Sequence, residues 1–199
     1  MAKDILLSRK NEVLVNKARS LGFKDVIFVD YYSQNMNLLP LDAVIISTDS
    51  LDELRRLIDK LSSKKKKIIV QASSDEINRT ALESKKVWML LAPEFARADE
   101  KEINFRNSGL NQVLCKLAAQ KGIFICINLS ELLSEQGKRK AILLARIMQN
   151  IKLCRKYKAR IILASFSREK EAMLSASDMK NLALSFGMST QQAKQAVLD

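Results

Sequence analysis

The chain has 199 residues, 34 Lys and Arg against 22 Asp and Glu, a formal net charge of +12 and no histidine. The missing histidine excludes His-ligated metal sites, Ser-His-Asp and Cys-His catalysis, and imidazole acid–base chemistry, while a carboxylate-only Mg²⁺ site stays open. The length suits one domain, the 47% apolar content is that of a globular chain, and the positive balance favours a polyanionic partner, nucleic acid first.

Taken in chain order, six short apolar runs read as buried parallel strands: Val26–Val29, Ala43–Ser47, Lys67–Gln71, Val87–Leu91, Ile123–Asn128 and Arg160–Ala164. Ile5–Ser8 is a weaker seventh. Helical patterns lie between them. Glu12–Leu21 closes at Gly22, and Leu51–Leu61 follows the capping sequence Thr48-Asp49-Ser50. Asp75–Ser84 follows two serines. Leu110, Val113, Leu114, Leu117 and Ala118 repeat at helical spacing and predict a helix from Gly109 to Lys121. Lys138–Tyr157 is the longest helix, with Ala141, Leu144, Ala145, Met148 and Ile151 expected on its core face. Ser177–Phe186 follows, and Ser189 or Thr190 caps a last helix, Gln191–Leu198. Asp30–Asp42 is too irregular for a helical crossover. Strand–helix alternation gives an α/β domain with a mainly parallel sheet, and the pattern alone does not separate an open sheet from a barrel.

Cys115, Cys126 and Cys154 sit inside apolar patterns with no CxxC pair, so they read as small buried hydrophobes rather than zinc ligands. No Gly-rich phosphate loop follows a strand. No apolar run reaches membrane-spanning length and the first residues lack a signal core, so a cytoplasmic protein is expected.

The charge is uneven. Lys138 to Arg168 holds ten basic residues and no acidic one. Within it Lys138, Arg139, Lys140, Arg146, Lys152 and Arg155 are candidate RNA contacts. A carboxylate-free helix of this length is unusual, since long helices ordinarily mix both signs. Lys64–Lys67 is a second cluster; it either complements a helix C-terminus or holds phosphate without sequence preference. In the stretch Asn104 to Ala118, Asn107 or Ser108 is expected to cap the following helix. Its first-turn amides, with Arg106 ahead of them, would then form an anion site. Arg106 could instead pair with a nearby acid such as Asp99 or Glu102. Asp30, Asp49, Glu94, Asp99, Glu100 and Glu131 are the carboxylates that a Mg²⁺ site would draw on.

The stretch "FRNSGLNQVLCKLA" resembles the archaeal ribonuclease P protein component 3 family, related to the human thirty-kilodalton RNase P subunit. The likeness continues through "NLSELLSEQGKRKAILLARIMQNIKLCRKYKARIILASFS" to "DMKNLALSFGMSTQQAKQAV". It covers Asn104–Val197 strongly and the first hundred residues more weakly. Family members often carry an Arg and a Pro before the penultimate helix, where this chain has Leu174 and Ala176. The resemblance implies a single-domain TIM-like (β/α) barrel. It also implies a subunit of the holoenzyme that removes the 5′ leader of precursor tRNA, an endoribonuclease activity in which this chain is not the catalytic component. The RNA subunit would use Mg²⁺, and no cofactor would be bound by this chain. Partners would be RNase P RNA, protein component 2 in a heterodimer or heterotetramer, and precursor tRNA indirectly, with no membrane. Arg106, Asn107, Ser108, Lys138, Arg139, Lys140, Arg146, Lys152 and Arg155 would be the RNA-binding residues. The alternatives are a carboxylate- and Mg²⁺-dependent phosphoesterase or nuclease acting alone, and a non-RNA interaction scaffold. Barrel phosphoesterases built on His and Asp ligands cannot be reproduced without histidine.

Overall fold

The structure, a computed structural model, describes residues 2–96 and 107–198. Among the described residues, seven strands run in parallel and neighbour one another in sequence order: β1 (Lys3–Leu7), β2 (Asp25–Tyr31), β3 (Ala43–Ile46), β4 (Lys67–Gln71), β5 (Val87–Leu91), β6 (Phe124–Asn128) and β7 (Ile161–Ala164). Helices α1 (Glu12–Ser20), α2 (Leu51–Ser63), α3 (Asp75–Glu83), α4 (Gln112–Lys121), α5 (Leu129–Ser134), α6 (Gly137–Tyr157), α7 (Ala176–Ser185) and α8 (Thr190–Gln195) cover the outside. β2 and β3 are joined without a helix, as the irregular 30–42 segment implied.

Two apolar layers follow from the two-residue period of each strand. Ile5, Val29, Ile45, Ile69, Met89, Cys126 and Ile162 fill the barrel interior. Leu6, Phe28, Val44, Val70, Leu90, Ile125 and Leu163 face the helices. Both faces of the sheet are therefore buried, which is why the strands read as continuous apolar runs.

Seven strands leave a seam between β1 and β7, and the chain closes it with a tripeptide and its C-terminal segment. Phe166 N donates to Ile5 O (2.8 Å) and Leu7 N to Ser167 O (3.1 Å), so Ser165-Phe166-Ser167 extends β7 alongside β1. Asp4 sits within this seam. Its carboxylate accepts from Ser165 N (3.0 Å) and Ser165 Oγ (2.5 Å). Burial nevertheless lifts its pKa to about 6 against those bonds. Lower down, Lys3 N donates to Leu198 O (2.6 Å) and Leu163 N to Ala196 O (2.7 Å), and Leu198 enters the interior layer.

Most element boundaries agree with expectation within one to three residues, and two differ for physical reasons. α4 begins at Gln112 rather than Gly109, because Gly109 takes φ +77°, a left-handed conformation that no helix start uses. α8 ends at Gln195, because residues 196–198 are drawn into the seam.

Candidate nucleic-acid interface

The stretch around residue 107 proves to be a buried clamp. The cap of α4 is Asn111, whose Oδ1 accepts from both Val113 N (2.9 Å) and Leu114 N (3.0 Å). The expected caps do other work: Asn107 Oδ1 accepts from Gly109 N (3.1 Å), and Ser108 is fully buried. Three of the amides around this helix start, those of Gly109, Val113 and Leu114, are thus occupied by the chain's own side-chain oxygens. Gly109 packs so closely on the 93–95 turn that an added Cβ would collide with Pro93 O. Asn150 Nδ2 donates to Ser108 O (2.9 Å) and Asn78 Nδ2 to Gly109 O (3.4 Å). Arg106, Asp99, Glu100 and Glu102 lie outside the described residues.

Arg146 belongs to the same clamp. α6 buries Leu143, Arg146, Ile147, Asn150, Ile151 and Cys154, so the inward stripe is rotated from the expected one. Ala141, Ala145 and Met148 are exposed. Arg146 Nη1 donates to Glu94 O (3.0 Å) and Ala96 O (3.2 Å), satisfying carbonyls that the 93–95 turn leaves open. The helix gives up part of its apolar face to place two polar side chains where the clamp needs donors. Neither Ser108 nor Arg146 offers a surface for RNA, and both expectations are corrected on burial.

The remaining α6 cations divide between the two ends of the barrel, because the helix runs its full height. Lys138, Arg139 and Lys140 stand at the end where the strands finish. Arg139 pairs with Glu135 (2.9 Å), and Lys140 Nζ reaches Leu133 O (3.5 Å). Lys152 is exposed on the outer face. Arg155 ties α6 to the α7–α8 region through Gly187 O (2.6 Å) and Gln192 Oε1 (2.7 Å). The acid-free run is therefore not one surface.

A denser cationic surface lies where the strands begin. The turns entering β4, β5 and β6 bring Lys65, Lys66, Lys67, Lys85, Lys86 and Lys121 around one cavity of about 370 Å³. Among the described residues its lining contains no carboxylate. Lys66 Nζ is held by Leu41 O (2.6 Å) and Lys86 Nζ by Asp59 Oδ1 (2.8 Å). Lys65 adopts φ +57°, a left-handed conformation that costs a non-glycine residue about 1 kcal/mol. Lys158 does the same before β7 at φ +59°. Beside it Arg160 lies 4.3 Å above the Phe124 ring. Apart from Lys64–Lys67, and Lys158 and Arg160 within the Lys138–Arg168 run, these residues were not singled out in the sequence. A signal was present: "SSKKKK", "ESKKV", "AAQKG" and "KYKAR" each place lysines in the turn that enters a strand. Barrel topology then gathers all four at one end.

The opposite end is the mouth where β/α barrels usually place chemistry. It holds a cavity of about 430 Å³ lined in part by Tyr31, Asn128, Glu131, Ser167, Arg168 and Glu169. Burial raises the pKa of Glu131, and also that of Tyr31. Glu94 is completely buried, and neither carboxyl oxygen has a hydrogen-bond partner among the described residues. Desolvation lifts its pKa to about 8, so burial favours the neutral acid at physiological pH. Among the described residues no three His, Cys, Asp or Glu side chains cluster as a metal ligand set would. All three cysteines are buried thiols. No helix among the described residues is long and apolar enough to cross a membrane.

Comparison with known proteins places this arrangement in a family. The family described as RNase P subunit p30 matches residues 8–199. Ribonuclease P protein component 3 of Methanosarcina acetivorans is 35% identical over 145 residues, 73% of this chain and 57% of that protein. The Methanosarcina barkeri protein of the same name is 29% identical over 190 residues, 90% of this chain and 76% of that one. This chain thus spans little more than half of one relative's length and about three quarters of the other's. Among solved structures, a chain in the cryo-EM structure of archaeal ribonuclease P with mature tRNA superposes with a TM-score of 0.80 at 24% identity, covering 98% of this chain and 86% of that one. That likeness establishes the barrel fold. From the match over nearly its whole length, the chain belongs to the RNase P subunit p30 family.

Proposed function

We propose that this chain is a protein subunit of ribonuclease P. In this reading it holds the RNA subunit while that RNA, with Mg²⁺, removes the 5′ leader of precursor tRNA. The chain supplies no catalytic group and binds no cofactor. Its partners are RNase P RNA and protein component 2, it meets precursor tRNA only indirectly, and it works in the cytoplasm. One observation carries the RNA-facing part of this reading. The strand-entry end of the barrel concentrates lysines around a cavity with no carboxylate among the described residues of its lining, in a chain of the RNase P subunit p30 family. Lys86 is paired with Asp59, and the other ammonium groups gathered in this concavity repel one another unless an anion neutralises them, which a phosphate backbone does with release of counterions. Lys138, Lys152 and the described parts of the α6 surface can add further phosphate contacts. Arg106 stays a candidate on sequence grounds.

The test is reconstitution. Cognate RNase P RNA and component 2, with and without this chain, are assayed for precursor tRNA cleavage at low Mg²⁺. A rise in cleavage on adding the chain is expected. No rise, or cleavage by the RNA-free protein, overturns the reading.

A further inference from the structure

The lysine cavity contains an element that phosphate binding alone does not require. β4 and β5 pair Ile68 with Val87 and then Ile69 with Met89, so the register skips Trp88. Trp88 sits at this irregularity of the register, and a break in the ladder re-aims a side chain at a strand end. The chain's single tryptophan lies in the wall of the cavity, partly exposed and partly packed on the interior apolar layer. Its ring meets Phe124 edge to face, centroids 6.3 Å apart and planes at 78°. Lys67 Nζ lies over its face, 4.5 Å from the centroid, so a base stacking there would take the place of this flexible side chain. An aromatic wall ringed by lysines combines the two features by which proteins hold single strands: a stacking face for a base and cations for the flanking phosphates. A paired base, stacked within its helix, cannot reach such a wall, whereas a splayed-out base can.

We infer that this cavity takes an unpaired nucleotide of an RNA strand, its base against Trp88 and its neighbouring phosphates on Lys65, Lys85 and Lys121. The inference rests on the RNA-subunit reading and names the kind of RNA element that this end of the barrel holds. Lys66 and Lys86, tethered to Leu41 O and Asp59, fix the rim, while Lys65, Lys85 and Lys121 line the opening.

Because Trp88 is the only tryptophan, its fluorescence reports this site in the full chain. A 12-residue oligouridylate, an RNA duplex of equal phosphate count and inorganic polyphosphate are titrated at low salt. The oligouridylate is expected to quench Trp88 strongly. Polyphosphate is expected to compete with it without comparable quenching, and the duplex to quench weakly. Trp88→Leu should lower oligouridylate affinity about tenfold, with the salt dependence unchanged. Trp88→Tyr, which keeps a stacking ring should the leucine variant fail to fold, should restore most of the affinity. The double variant Lys85→Ala/Lys121→Ala should lower the salt slope by about 1.4. Equal quenching by polyphosphate and oligouridylate would overturn the base contact. A Trp88 signal that answers component 2 but not RNA would make the cavity a protein contact and overturn the inference. Trp88 silent in a chain that still stimulates cleavage would sink this inference alone. Failure of stimulation by the wild-type chain would instead sink the functional reading beneath it.

Discussion

The two ends of this barrel divide the labour of its charged and polar residues. At the mouth, where the strands finish, polar groups are turned inward. Arg146 braces the 93–96 turn, Asn150 and Asn78 hold the 108–109 backbone, and Glu94 is sealed from water. At the other end, lysines from successive turns point into one open cavity. In most β/α barrels the mouth carries function and the strand-entry end carries stability. The proposed function would shift much of the binding role here to the strand-entry end.

Substitutions at the two ends should therefore fail in different assays. The largest effect is expected from Gly109→Ala. It combines a left-handed φ with a Cβ pressed on Pro93 O, so a loss of about 3–5 kcal/mol and a fall of about 10 °C in melting temperature are expected by calorimetry. Next comes the triple variant Lys65→Ala/Lys85→Ala/Lys121→Ala at the strand-entry end. Filter binding should show RNA affinity about 100-fold weaker at 0.15 M salt and a salt slope lower by about 2, with little change in melting temperature. Arg146→Ala should do the reverse. Two buried carbonyls lose their donor, costing about 2–3 kcal/mol in denaturant unfolding, while the salt slope of RNA binding stays put.

Glu94 sharpens the comparison through pH. Its folded-state pKa, about 8, lies above the ordinary 4.5, so the folded protein holds this proton more tightly than the unfolded chain does. Its contribution is full below about pH 4.5 and is lost as pH rises toward 8. Glu94→Gln removes that loss. Between pH 5 and 8 the wild type should therefore lose on the order of 2–4 kcal/mol relative to the Gln variant, read as a difference of urea midpoints. The smallest pair tests the cap. Asn111→Ala should cost about 1 kcal/mol. Ser108→Ala should be neutral or slightly stabilising, because the buried Ser108 Oγ has no partner among the described residues.

Much of the fold was legible because both faces of each strand are buried, and short β-branched runs such as Lys67–Gln71 say so directly. Barrel closure was not, since it depends on Asp4 meeting Ser165 and on Lys3 meeting Leu198, contacts between distant parts of the chain. The cationic surface at the strand-entry end was legible only in part. Lys64–Lys67 was visible as a cluster, but its joining with Lys85, Lys86 and Lys121 needed the parallel topology that puts successive turns at one end. Arg146 misled for a specific reason. A cation in a carboxylate-free helix reads as surface, and only the neighbouring turn reveals the carbonyls that draw it inside. The Asn107–Ser108 cap failed because Asn111, four residues on, offers an equally good side chain without asking Gly109 to be helical.

The division between the ends can be tested directly by placing a photo-crosslinking residue at position 85 or at position 169 of the full chain. Each variant is then irradiated within the ribonucleoprotein reconstituted with RNase P RNA and component 2. RNA adducts at position 85 and none at position 169 are expected. RNA adducts at position 169 with none at position 85 would contradict the assignment of the strand-entry end to RNA.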